Sequence, residues 1–318
     1  MVRVLGMAAA CASATGITLP AHASCSQAPC VDAEPMWLPP ATTRFTLVSD
    51  AAAAPPRTLV ASATFGFRLH PAVLSVPAPN QDGRDVNLLR YAVDATLGLR
   101  WGLGEGLELT LVAPAGLYQR GSGIKGITSQ NAPPLPAQSL HDPRVGFGYA
   151  FATGSRSISA KLRFEAKLPL ANADALTGEA SPVAAPSLVV QGTAGHWAAG
   201  LELGARLRRP VDFYGARVGS QALLAVGIAY ELSRPRLSFA LENYLLPSLV
   251  ARGSFRYLPA ETLFTTRLAP ESWRGLSLGL AGGTGYAFSS TPGGESAQAL
   301  GVPTFRVLGF VRFAPTSR

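Results

Sequence analysis

Ile158-Ser-Ala-Lys-Leu-Arg-Phe-Glu-Ala-Lys-Leu168 puts Ile158, Ala160, Leu162, Phe164, Ala166 and Leu168 on one face. Ser159, Lys161, Arg163, Glu165 and Lys167 fall on the other. This is period-2 alternation, the spacing of a strand with two unlike faces, and no helical spacing sorts these residues. Magnitude decides which face meets which medium. A lysine or arginine turned to lipid costs roughly 2–4 kcal/mol at mid-bilayer and about 0–1 near the interface. Exposing Lys161, Arg163 and Lys167 together would therefore cost several kcal/mol, a large part of a net stability of about 5–15. In a membrane the apolar face has to look outward, and a one-residue slip of register is excluded.

The same alternation recurs along the chain. Leu89, Tyr91, Val93, Ala95, Leu97, Leu99 and Trp101 alternate with Arg90, Ala92, Asp94, Thr96, Gly98 and Arg100. Trp197 to Leu207 repeats the pattern with Glu202 and Arg206 on the polar side. About twelve such segments are predicted, near 58–69, 89–101, 107–118, 142–152, 157–168, 184–194, 197–208, 220–232, 237–246, 260–268, 274–288 and 303–313. Most reach the 9–11 residues, roughly, that a tilted strand needs to cross a bilayer. Short connections (102–106, 153–156, 195–196, 233–236, 269–273) alternate with longer ones (70–88, 119–141, 169–183, 209–219, 247–259, 289–302). That is the pattern of a membrane barrel with short periplasmic turns and long external loops. Trp101, Phe151, Trp197, Tyr230, Trp273 and Phe313 fall at strand ends on the short-turn side, as an interfacial girdle would. The fold class predicted is all-β, an antiparallel up-and-down transmembrane β-barrel of about twelve strands.

Composition agrees. Hydrophobic residues make up 47% and charged residues only 14%, below the roughly 25% of soluble domains. No apolar run after the N-terminus has the length of a membrane helix. Lys and Arg (27) exceed Asp and Glu (19), but the excess is spread along the chain, so no nucleic-acid partner is expected. The start reads as a secretory signal over 1–23: Met1-Val2-Arg3, an apolar run to Leu19, then Ala21-His22-Ala23. Residues 24–57 are rich in proline and lack a period, which predicts a periplasmic N-terminal arm, and 58–318 form the barrel. Cys25 and Cys30 are expected to form a small disulfide loop rather than a metal site.

With the apolar faces outward, the lumen collects Arg90, Asp94, Arg100, Glu108, Asp142, Arg144, Lys161, Arg163, Glu165, Lys167, Glu202, Arg206, Arg208, Glu242 and Arg306. These residues allow two readings, a salt-bridged filled interior or a narrow aqueous path with a slight preference for anions. The inward face of 275–287 is entirely small (Gly275, Ser277, Gly279, Ala281, Gly283, Gly285, Ala287), which predicts that the arm or the loop 119–141 folds against it. For catalysis, His141-Asp142 is the best candidate, but no serine or second acid is matched to it. No enzyme, cofactor or metal is expected.

Gly102-Leu-Gly-Glu-Gly-Leu-Glu-Leu, Tyr118-Gln-Arg-Gly and His141-Asp-Pro-Arg-Val-Gly-Phe-Gly-Tyr carry a resemblance over roughly 58–313. They resemble the outer-membrane barrels grouped as phenol-degradation-pathway transporters. They also resemble the barrel that in some bacteria precedes an OmpA-like, peptidoglycan-binding domain, here without that domain. The resemblance implies a Gram-negative outer-membrane location and a transport role. The expected partners are outer-membrane lipid, the barrel assembly machinery and small solutes. A passive channel or transporter is the leading reading, and a closed barrel displaying its loops is the second.

Overall fold

The computed structural model describes residues 30–76, 84–126, 134–155, 157–213, 216–233, 236–249, 257–289 and 301–315. Twelve strands form the wall: β1 Leu59–Val76, β2 Arg84–Gly104, β3 Leu107–Arg120, β4 Arg144–Phe151, β5 Ile158–Lys167 and β6 Val183–Ala194. They continue with β7 Trp197–Arg206, β8 Gln221–Glu231, β9 Leu237–Leu245, β10 Tyr257–Leu268, β11 Leu276–Ser289 and β12 Phe305–Phe313. Each strand pairs antiparallel with its neighbours in the chain, and β1 pairs with both β2 and β12, which closes the barrel. Closure leaves no unpaired edge, which a bilayer requires.

The facing is as the alternation dictates. On β5, Leu162 is 51% exposed while Lys161 is 1% exposed. Phe65, Leu97, Phe147, Ile228, Phe264 and Leu280 on other strands also point outward. Trp101, Phe151, Trp197 and Phe313 are exposed near the short-turn end, and Trp197 packs against Tyr230 with ring centroids 4.9 Å apart.

The first hairpin departs from expectation. Sequence alternation stops at Leu69, yet β1 and β2 run on to Val76 and back from Arg84. A bulge lies between, where Leu69 faces Tyr91 but Ala72 faces Leu89. The extra residues, His70 with φ 49° and Pro71, interrupt the pleat. Arg90 lies opposite this bulge and its side chain is exposed, so its assignment to the lumen is corrected. A bulge re-aims the side chains beside it, and period 2 cannot be carried across one.

Above this hairpin, Leu88 and Leu89 of β2 pack with Ile124, Leu176 and Phe213 from three external loops and with Val31 and Ala33. This apolar cap sits on the long-loop end of the barrel.

Candidate functional site in the barrel lumen

The expected arm does not stand apart from the barrel. Residues 30–57 run through the lumen, correcting the expectation of a periplasmic arm. At one end Arg57 N–H donates to the Gly102 carbonyl, beside the short turn after β2. At the other, Ala33 N–H donates to Leu176 O at 2.8 Å in the cap. Cys30, in the same region, is buried and disulfide-bonded, while Cys25 lies outside the described residues.

The wall holds this segment largely by its backbone. Glu242 accepts from the N–H groups of Thr46 (2.7 Å), Leu47 (2.6 Å) and Val48 (3.2 Å). Glu202 accepts from Ser49 N–H at 3.0 Å, and Glu108 from Ala54 N–H at 2.9 Å. In the other sense, Arg144 donates to Leu38 O at 2.6 Å and Arg100 to Ala52 O at 2.8 Å. Arg267 donates to the carbonyls of Thr42 and Phe45, Arg206 to that of Pro35, and Arg312 to that of Ala41. An irregular segment cannot satisfy its own amides, so charged wall residues do so instead.

Side chains add to this grip. Phe45 is 0% exposed and fits against Gly200 and Gly227, which face each other across β7 and β8. A Cβ on either glycine would lie 2.8 Å from the ring. Pro40 sits similarly close to Gly98. Trp37 lies among the cationic groups of Arg206, Arg144 and Lys167, at 4.4, 5.0 and 5.7 Å from its ring centroid. Asp50 pairs with Arg100 at 2.6 Å, Glu34 with Arg68 at 2.8 Å and Arg306 at 3.0 Å, and Asp32 with Lys167.

The wall's own charges form linked pairs. Arg163 bridges Glu202 (2.6 Å) and Glu165 (2.5 Å), and Arg144 also reaches Glu165 at 3.1 Å. Glu108 joins Lys161 (2.7 Å) to Arg100 (2.8 Å). Arg68 reaches Asp94 at 2.7 Å, Arg306 reaches Glu261 at 2.8 Å, and Arg208 reaches Glu179 at 2.6 Å. Of the fifteen residues expected in the lumen, Arg90 is exposed, Asp142 and Arg208 bind the loop after β5, and the other twelve make their contacts inside the barrel. Arg206, Arg267 and Arg312 make no ion pair among the described residues, and the arm's carbonyls serve them. Cavities of about 50, 40 and 20 Å³ remain beside the arm. The larger two have room for a few waters and the smallest for about one.

The small stripe on β11 meets the arm in part: Ala281 is buried in one apolar cluster with Met36, Phe45 and Leu47. Gly279 faces the ring of Phe310, and Gly285 faces Val302 and Pro303. Glycines on other strands make room for the arm: Gly98, Gly102, Gly200 and Gly227. Their inward position was readable in the sequence, although nothing there matched them to residues 40–55.

His141 and Asp142 divide structural roles at the external rim. Burial pushes the Asp142 carboxyl above its usual range, while the nearby Lys167 and the amides it accepts from pull the other way. Asp142 accepts from the N–H groups of Leu170 (2.8 Å), Ala171 (2.7 Å) and Glu179 (2.7 Å), which folds the loop after β5. Asp142→Ala strands the amides of Ala171 and Glu179, while Leu170 N–H keeps the Leu168 carbonyl at 2.8 Å, and the change is expected to speed hydrogen exchange at 170–179 by at least tenfold. Exchange there at the wild-type rate would show that the loop is held by other contacts.

Ser139 stands two residues before His141, so the expectation that this histidine has no matched serine is corrected. Ser139 Oγ and His141 Nε2 are both buried and without a hydrogen bond. Burial lowers the His141 pKa, favouring the neutral ring. Its Nε2 lies 3.6 Å from Asp94 Oδ1, too long for a hydrogen bond. In a relay the carboxylate would hold Nδ1 and leave Nε2 to the serine. Here the acid faces the nitrogen the serine would need.

No protein-family model matches the chain, and no curated protein matches it in sequence. Solved structures do match in fold. An outer membrane channel from Pseudomonas putida F1 superposes with TM-score 0.60 at 14% identity, covering 83% of this chain and 98% of that one. The barrel shares that protein's fold. The NanC porin (TM-score 0.49, 10% identity, 80% and 98% covered) and the TodX monoaromatic hydrocarbon channel (0.44, 11%, 88% and 96%) are more distant. The likeness is one of fold, and in this chain the arm occupies the interior of the barrel.

Proposed function

We propose that the protein is a passive channel for small solutes in the bacterial outer membrane, with the arm as its closure and a mildly basic path behind it. The observation that carries this reading is the hold on the arm: many exchangeable polar contacts to its backbone from a charged wall. Water can replace such contacts one for one, whereas a lumen filled by the wall's own apolar side chains would have nothing to release. The anion preference follows from the partners lost on opening. Removing the arm takes the Asp32, Glu34 and Asp50 carboxylates away from Lys167, Arg68, Arg306 and Arg100. It also uncovers Arg206, Arg267 and Arg312. The resemblance to the phenol-degradation-pathway transporters supports a transport role without naming the solute. A small set of water-sized cavities favours a second reading, a permanently closed barrel that displays its loops.

Planar-bilayer recordings in a salt gradient separate the two. The full mature chain is expected to show small or rare steps. A chain lacking 24–56, with its folding verified by heat-modifiable gel mobility, is expected to show steps several-fold larger with an anion-biased reversal potential. Equal conductance from both folded proteins would refute the arm as closure, and a cation-biased potential would refute the basic path.

A further inference from the structure

Much of the wall's grip on the arm ignores the identity of the arm's side chains. Thr46, Leu47, Val48 and Ser49 are held by their N–H groups on Glu242 and Glu202. The carbonyls of Leu38 and Phe45 are held by Arg144 and Arg267. Contacts of this kind can be offered by any extended polypeptide. Selectivity comes from two further features: the paired glycines that admit one large aromatic ring, and the cations that meet carboxylates at positions 34 and 50.

We propose that the lumen is a binding site for extended peptides supplied in trans, and that residues 30–57 are its resident occupant. The ligand class is a peptide with one bulky aromatic side chain, spaced so that acidic side chains reach Arg100 and the Arg68–Arg306 pair. Donors and acceptors alternate around the arm, which suits an amide chain and does not suit a simple anion. A simple anion would use the arginines but leave Glu202 and Glu242 facing it with like charge. The inference concerns occupancy of the lumen and does not depend on the barrel conducting.

The test uses the full chain with a specific protease site placed after Arg57, where Pro55, Pro56 and Arg57 are exposed. After folding, the chain is cut and the arm is washed out under conditions that preserve heat-modifiable mobility. Binding of fluorescent peptides is then read by anisotropy. The 30–57 peptide is expected to bind saturably. The same peptide N-methylated at Leu47 and Ser49, which removes two backbone donors and no side chain, is expected to bind at least tenfold more weakly. A peptide of unrelated sequence keeping only Glu34, Phe45 and Asp50 in place is expected to bind within about tenfold of the arm peptide. If the cut arm stays seated, full chain carrying Phe45→Ala and Asp50→Ala serves instead, because its wall is untouched. Absence of saturable binding to a folded barrel, equal binding of the N-methylated peptide, or failure of the unrelated peptide would each overturn the proposal.

Discussion

Glu242→Ala is expected to free the segment 46–48 from the wall, with hydrogen exchange at those amides rising by two or more orders of magnitude and conductance rising with it. The carboxylate is 1% exposed and receives three arm amides as well as the hydroxyl of Thr265 at 3.3 Å. Hydrogen bonds to a charged group contribute about 1.5–3 kcal/mol each, and a buried amide left without a partner costs about 1–3. Losing three together comes to roughly 3–6 kcal/mol even if one is partly rescued by water. The barrel itself retains its ladders, since Glu242 pairs with Leu263 and Gly227 through the backbone of β9. The cost therefore falls on the arm. Glu242→Gln keeps one acceptor oxygen and turns an NH₂ toward the remaining amides, so an intermediate effect is expected. Wild-type exchange at 46–48 in the alanine variant would sink this account of how the arm is held.

Gly227→Val is expected to expel Phe45 from its seat. The new Cβ would meet two ring atoms at 2.8 Å, and Gly200 across the strand pair leaves the ring no second notch. The neighbouring Glu242 side chain, 3.2 Å from the same point, prevents a sideways shift. Removing a buried phenylalanine from its site costs about 3–5 kcal/mol, so the arm near 45 should become protease-sensitive in the folded barrel. Phe45→Ala should have a similar effect. Combining the two should add little, because both abolish one contact. Full additivity would mean that the glycine and the ring act independently.

The barrel was legible because its wall obeys one rule. Lys161, Arg163 and Lys167 on one side of β5 and Leu162 and Phe164 on the other allow a single facing. Alternating loop lengths then give the strand order. The rule failed at His70-Pro71, where two residues stand opposite one and Arg90 turns outward. It was also silent on the arm, whose prolines and lack of period say only that it forms no strand. Where an irregular segment goes depends on what receives it. The receiving signals were scattered singly over four strands: Gly98, Gly200, Gly227 and the unpaired Glu242. The uniform small stripe on β11 is the plainer signal, yet only Ala281 joins the arm's cluster, and its glycines accommodate Phe310 and the segment 301–303. The lumen residues were readable as a set, but their pairing was not, since an arginine and a glutamate far apart in sequence carry no mark of each other.

The passage of residues 30–57 along the inside of a closed ring also constrains how the molecule is made. The arm leads directly into β1, and β1 is the strand whose pairing with β12 completes the circle. Its far end is held under the cap by Val31 and Ala33, beyond bulky Trp37. Threading that end through a finished ring is slow, because each interior charge pair it passes has to give way in turn. Laying the arm on the concave side of an unfinished sheet requires none of this. An arm laid down early lines the concave side on which the later strands collect, and the seam between the first and last strands is the last to seal.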